Sequence, residues 1–232
     1  MGYIPVFLDV SGQKCIVIGR GHAVEEKIRA LLDAGAIVTV VSPDAKSILE
    51  SIDGEGVLKY VTRDYQDGDL RGNLVAYIAN ASHEVAQRAV AEARQLGILV
   101  NVADNPEASS FISPAIVRRG DLQIAISTGG SSPSVAAMMR QRLERQLGSQ
   151  YSVILQVMRR AREFLRQHQP ESKERRSTLR SLAAALLDSV ETLDLPTIDR
   201  LLRVHLNVGM AELGLELQVS LPAKRGPLPN DI

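Results

Sequence analysis

Cys15-Ile16-Val17-Ile18 is an unbroken apolar run, the pattern of a strand covered on both faces. Gly19-Arg20-Gly21 follows at once. From His22 to Ala34 the apolar residues Val24, Ile28, Leu31 and Leu32 fall at helical spacing, and Gly35 is a stop signal. Ile37–Val41 is a second β-branched run. Ser42-Pro43-Asp44 opens a short helix to about Ile52, Leu58–Val61 reads as a strand, and Asp64–Gly72 reads as polar connection with or without a short turn of helix. Leu74–Ala79 and Ile98–Val102 are further strands. Between them Glu84–Leu96 turns Val85, Ala89, Val90 and Ala93 inward, and Gly97 closes this helix. Near the start, Ile4, Val6 and Leu8 alternate with other residues, which predicts an edge strand over 3–10.

Strands that alternate with helices at short spacing predict an α/β fold with a mainly parallel, Rossmann-like sheet. Ligand then belongs at the carboxyl ends of the strands, marked by Gly19, Ser42, Asn80 and Asp104. The pattern changes after residue 108. Residues 109–119 read as irregular, with Pro114 among them, and 122–127 alternate. Gly129-Gly130-Ser131-Ser132-Pro133 leads into a helix to about Leu147, with Ser132 as cap and Pro133 at the first helical position. Three apolar stripes follow, from Tyr151 to Leu165, Leu179 to Leu193 and Ile198 to Leu206, which predict a small helical bundle or lid. The expected divisions are 1–112, 113–148, 149–221 and a frayed, Pro-rich tail over 222–232.

Composition removes several function classes. Aromatic residues make up 3% and Trp is absent, so stacking platforms for single-stranded nucleic acid are not expected. Formal net charge is zero; residues 1–150 carry 15 basic and 17 acidic side chains, and the remainder 12 and 10. Neither part is basic enough to argue for nucleic acid or a membrane surface. Eight basic residues against three acidic ones over 159–180 read as a solvated face or an anion contact. The single cysteine, Cys15, sits in a strand and reads as packing; it excludes an internal disulfide and a cysteine-based zinc site. No apolar run approaches the ~20 residues of a membrane span. With no signal-peptide pattern at the start, a cytoplasmic location is expected.

The first strand–turn–helix is the opening unit of a dinucleotide-binding fold. Gly19 permits the tight turn and Gly21 lets backbone approach a pyrophosphate. The helix start at His22-Ala23 offers N–H groups and a positive dipole end. Val24 stands where a third glycine is usual, and an ordinary βα turn explains a bare G-x-G equally well. About twenty residues on, Val41-Ser42-Pro43-Asp44 supplies one acid, Asp44, for a ribose hydroxyl. No basic residue stands in that stretch to meet a 2′-phosphate, which favours NAD over NADP. Asp104, before Asn105-Pro106, is either a turn former or a carboxylate at the crevice able to take protons or visit a divalent metal. Ser127-Thr128-Gly129-Gly130 before a helix reads either as a flexible lead into a capped helix or as a carboxylate-binding turn, with Arg118, Arg119, Arg140 and Arg142 close in sequence. The histidines at 22, 83, 168 and 205 show no ligand spacing, and no tyrosine has a lysine four residues on.

Together these blocks resemble the precorrin-2 dehydrogenase/sirohydrochlorin ferrochelatase family, the N-terminal module of siroheme synthases. The likeness runs from Ile4-Pro5-Val6-Phe7-Leu8 through Val17–Gly21, Lys27, Leu31–Ala36, Val38–Val40 and Gly97–Asp104. It ends in the specific blocks Ser110–Gly120 and Ile124–Pro133. It implies NAD⁺-dependent oxidation of precorrin-2 to sirohydrochlorin, Fe²⁺ insertion in many members, and a homodimer built partly on residues 113–148. It further implies Asp104 as the acid for both reactions and nucleotide contacts at His22-Ala23 and Pro43-Asp44. It implies tetrapyrrole contacts from Ser127–Gly130, Arg118 and Arg140. A hydroxyl at Ser127 or Thr128 matches a phosphorylation site of some members. The C-terminal helices fit the stand-alone form. Arg20 interrupts the family's run of three glycines, and Asn80-Ala81 stands where Thr-Asp is common. A member with one of the two activities, or a non-catalytic nucleotide-binding regulatory module, fits the same residues.

Overall fold

A computed structural model of the chain describes residues 2–44, 58–169 and 171–217. Past Asp44, the helix expected to about Ile52 lies outside the described residues, as does the tail from Pro222. The chain divides into two compact units, Met1–Ser113 and Pro114–Ile232.

The first unit is an α/β domain of Rossmann type. Its strands are β1 (Lys14–Gly19), β2 (Ile37–Val41), β3 (Leu58–Val61), β4 (Val75–Ala79) and β5 (Leu99–Val102). All pair in parallel in the order β3-β2-β1-β4-β5. Helix α1 (His22–Asp33) joins β1 to β2, and α2 (His83–Leu96) joins β4 to β5. β1 is central, and every residue after Lys14 is buried, as its unbroken apolar run requires. Side chains alternate faces along it. Cys15 and Val17 pack with Val24, Ile28 and Leu31 of α1. Ile16 and Ile18 pack with Ala89, Val90 and Ala93 of α2. Burial pushes the Cys15 thiol up, in keeping with a packing role.

α2 closes at Gly97 as expected and begins one residue before the expected Glu84, capped by Ser82. The Ser82 hydroxyl accepts from the Val85 amide at 3.3 Å, and Gly97 takes a left-handed φ of 69°. The strand order reverses between β1 and β4, which opens a crevice at their carboxyl ends.

Three expectations need correction. Residues 3–10 form no strand; the sheet has no sixth member among the described residues, and Ile4, Val6 and Phe7 are exposed. Alternation describes a ribbon with one apolar side but not whether an edge accepts it. Residues 64–72 are more than polar connection, because Tyr65 and Leu70 are buried against the α2 face. Residues 115–119 are not irregular: β6 (Ala115–Arg119) pairs antiparallel with β7 (Leu122–Ile126). Their register places Arg119 opposite Leu122, which leaves Gly120-Asp121 as a two-residue hairpin turn. Gly120 has φ 57°, and a Cβ there would lie 2.2 Å from the Ser152 hydroxyl.

The hairpin belongs to the second unit, with α3 (Pro133–Gln146), α4 (Gln150–His168), α5 (Ser172–Asp188) and α6 (Leu195–Leu206). The last three form a bundle around Val157, Leu165, Leu182, Leu186, Ile198 and Leu202. These are residues of the three stripes or their immediate neighbours. Among the described residues no helix is long and apolar enough to cross a membrane.

Candidate dinucleotide crevice at the switch point of the sheet

The turn after β1 is fixed by close approach. Gly19 has φ 127°, and a Cβ there would sit 1.7 Å from the Ala79 carbonyl oxygen. Only glycine lets β1 pass β4 at that point. The Arg20 amide donates to the same oxygen at 3.1 Å, and the Asn80 side-chain amide donates to the Arg20 carbonyl at 3.0 Å. Asn80, with φ 50°, therefore ties the two strand ends together. Gly21, with φ 73°, is the N-cap of α1, and no side chain caps that helix. A Cβ on Gly21 would meet only the Asn80 amide nitrogen, at 3.6 Å. The first turn thus presents uncapped backbone at an exposed glycine, which suits a pyrophosphate. The residues present fit a dinucleotide on that ground.

In front of this turn lies a cavity of about 550 Å³, within the range of small-molecule sites. Gly19, Arg20, Pro43, Asp64, Asn80 and Ser82 contribute to its wall. Ser42 is fully buried, and its hydroxyl accepts from the Asp44 amide at 3.1 Å, which fixes the β2 exit.

The structure adds a residue to the rim that the sequence stretch 41–44 lacks. Arg20 reaches across from the glycine turn, its Nε 3.8 Å from Asp44 Oδ2 and its Nη2 3.4 Å from Asp64 Oδ1. A basic group therefore does stand beside Asp44. Its identity is plain in the sequence, as the residue between two glycines, but its reach to Asp44 needs the fold.

The loop after β3 forms one wall. The Arg63 guanidinium grips the Asp69 carboxylate through two contacts of 2.7 Å. Glu92 of α2 accepts from the Gly68 amide at 3.0 Å and from the Tyr65 phenol. Burial, then the bond to Glu92, pushes the Tyr65 phenol above its ordinary range. The Arg63 hydrogen bond holds the Asp69 carboxyl below the usual carboxylate range, against the opposing effect of burial. A depressed folded-state value stabilises above the unfolded value of about 4, and is lost as pH falls through the folded value. R63M is therefore expected to destabilise the protein by about 1 kcal/mol at pH 7. It should also flatten the acid limb of stability. Urea midpoints at pH 7 and pH 3 read both; an unchanged acid slope would contradict the pairing.

The sites expected from sequence divide. Gly19 and Pro43 line the cavity, and Asp44 is drawn in through Arg20. His22 is exposed and Ala23 half-buried in the first turn of α1. Asp104 is exposed at the end of β5 with φ 59°. Its corner is well fixed. The Ala103 amide donates to the Ile78 carbonyl at 2.8 Å, and the Ser109 hydroxyl donates to the Asn105 carbonyl at 2.8 Å. The Ser110 hydroxyl accepts from the Val100 amide at 2.7 Å, so the 105–111 strap lies along β5. In the second unit, the Thr128 hydroxyl accepts from the Ser132 amide and donates to its carbonyl, both at 3.1 Å. Ser127 accepts from the Gly129 amide at 3.1 Å. The Ser132 hydroxyl accepts from the Val135 amide at 3.3 Å and caps α3 as expected. Arg140 pairs with Glu144 at 2.7 Å, and Arg119 donates to the Leu147 and Glu144 carbonyls. Among the described residues no group of three or more His, Cys, Asp and Glu side chains is placed to hold a metal.

Comparison with known proteins gives the geometry a lineage. Residues 6–115 match the model of an NAD(P)-binding family, and residues 119–146 match that of the central region of sirohaem biosynthesis proteins. The siroheme synthase of Methylococcus capsulatus is 34% identical over 176 residues, which are 76% of this chain and 37% of that protein. Over three quarters of its length the chain is thus similar to part of a siroheme synthase. The Pseudomonas aeruginosa siroheme synthase aligns over 214 residues at 32% identity, covering 92% of this chain and 46% of the relative. The chain thus spans less than half the length of these curated relatives. Among solved structures, SirC, precorrin-2 dehydrogenase, superposes with a TM-score of 0.66 at 22% identity, covering 82% of this chain and all of that one. At that identity the likeness speaks for the fold. The NAD(P)-binding model spans the cavity-lining residues from Gly19 to Arg88, and Asp104 beyond them.

Proposed function

We propose that the chain oxidises precorrin-2 to sirohydrochlorin with NAD⁺ as a step of siroheme formation, acting as a homodimer in the cytoplasm. The observation that carries this reading is the uncapped glycine turn at the β1–β4 switch point, with a carboxylate fixed at the end of β5. Gly19, Gly21, His22 and Ala23 hold the pyrophosphate, and Pro43 and Asp44 the adenosine end. NAD⁺, when bound, supplies the hydride acceptor. Asp104 accepts the proton that leaves with the hydride, directly or through water. The macrocycle carries many carboxylates, and Arg118, Arg140 and the Ser127–Gly130 turn bind them. Exposed Val135, Met138 and Met139 on α3 supply an apolar face for the homodimer.

We assign Asp104 a second task in Fe²⁺ insertion. There the macrocycle exchanges two pyrrole protons for the metal, and the carboxylate takes protons or passes Fe²⁺ on, with no permanent metal cage required. Incubation with precorrin-2 and NAD⁺, followed by absorbance, is expected to show sirohydrochlorin and one NADH per turnover. No product from folded, NADH-binding protein would overturn the enzymatic reading and leave a nucleotide-binding regulatory module. Adding Fe²⁺ or Co²⁺ to preformed sirohydrochlorin reads the insertion step separately.

A further inference from the structure

We propose that Arg20 is a latent 2′-phosphate position that Asp44 masks, so that this one ion pair sets the choice between the two nicotinamide dinucleotides. The proposal rests on the crevice being a dinucleotide site, as argued above. In such crevices an acid past the second strand takes the ribose 2′-hydroxyl, and a nearby arginine accommodates a 2′-phosphate. Here both groups are present and in contact, with Arg20 Nε 3.8 Å from Asp44 Oδ2. The arginine comes from the glycine turn rather than from the β2 exit.

Both backbones are held while both side chains reach into solvent. Arg20 is fixed through its amide to Ala79 and its carbonyl to Asn80. Asp44 is fixed by its amide N–H, which donates to the buried Ser42 hydroxyl. The side chains of Arg20 and Asp44 are about half exposed, at 50% and 52%, and Asp64 is 69% exposed. At 3.4–3.8 Å in that setting the two pairs are weak and exchange readily. One guanidinium between two carboxylates leaves a net negative rim, which repels a phosphomonoester and tolerates a hydroxyl. Removing the Asp44 charge leaves Arg20 balanced by Asp64. A 2′-phosphate would then offer Arg20 the stronger, forked contact.

Calorimetric titration of the full chain with NADH and with NADPH tests this without turnover. The wild type is expected to prefer NADH. D44N should raise NADPH affinity by about tenfold or more, because a charge-assisted hydrogen bond to the phosphate forms and a repulsion disappears. R20A/D44N should lose that increase, and R20A alone should bind NADPH no better than the wild type. NADH binding with NADPH affinity unmoved by D44N, or an increase that survives R20A, overturns the assignment to Arg20. Failure of folded wild-type protein to bind either dinucleotide overturns the crevice reading and this proposal with it. Circular dichroism of each variant confirms that the exposed substitutions leave the fold in place.

Discussion

Replacing Gly19 by alanine is expected to destabilise the protein by about 2–5 kcal/mol and to abolish NADH binding. Two effects act on the same atom. The φ of 127° is one that side-chain-bearing residues rarely adopt, and the added Cβ would stand 1.7 Å from the Ala79 carbonyl oxygen. That oxygen belongs to the backbone of β4 and also receives the Arg20 amide. Relief must therefore come from separating β1 and β4, the two strands that border the crevice. Gly21 makes the control. Its φ of 73° is strained for alanine, but a Cβ there meets only a side-chain nitrogen at 3.6 Å. G21A should cost about 1–2 kcal/mol of stability and weaken NADH binding without abolishing folding. Urea unfolding followed by circular dichroism, with fluorescence titration of NADH, separates the two. Equal losses for G19A and G21A would show that left-handed strain alone matters and that the contact with Ala79 does not.

That contrast also marks what the sequence could reveal. The strand–turn–helix around Gly19 was legible because a fully buried parallel strand must be apolar on both faces, and Cys15–Ile18 is. Ser132 and Gly97 were legible as helix ends because their chemistry is local. The residues that complete the crevice were not. Arg20, Asp44 and Asp64 come from the exits of three different strands, and only the order β3-β2-β1 brings them together. Tyr65 and Leu70 sit in a run that is polar by count, so periodicity gave no sign that both are buried. The reverse holds at Ile4, Val6 and Leu8, all exposed. Their alternation signals a strand, but pairing is a property of the neighbouring edge and not of the segment. The hairpin over 115–126 was half visible for the same reason. Val117 is its one fully buried residue in β6, too few to set a period of two.

The largest catalytic effect is expected at Asp104. D104N should lower the rate of sirohydrochlorin formation by about 10²–10⁴-fold while NADH affinity stays near the wild-type value. Asparagine is the informative replacement because of the backbone. Residue 104 has φ 59°, a region that Asp and Asn tolerate and that alanine enters at a cost of about 1–2 kcal/mol. D104A therefore mixes loss of the carboxylate with strain at the corner, where Ala103 and Asn105 make the backbone bonds that close the turn. D104N keeps the conformation and the size and removes only the ability to hold a proton. If Asp104 were merely the turn former that precedes Asn105-Pro106, D104N would leave turnover intact and D104A would lower stability alone. If it is the proton acceptor, both variants lose turnover, and D104A alone also loses stability. Fe²⁺ insertion into preformed sirohydrochlorin, measured on the same two variants, then decides whether one carboxylate serves both reactions, because a shared acid requires the two rates to fall together.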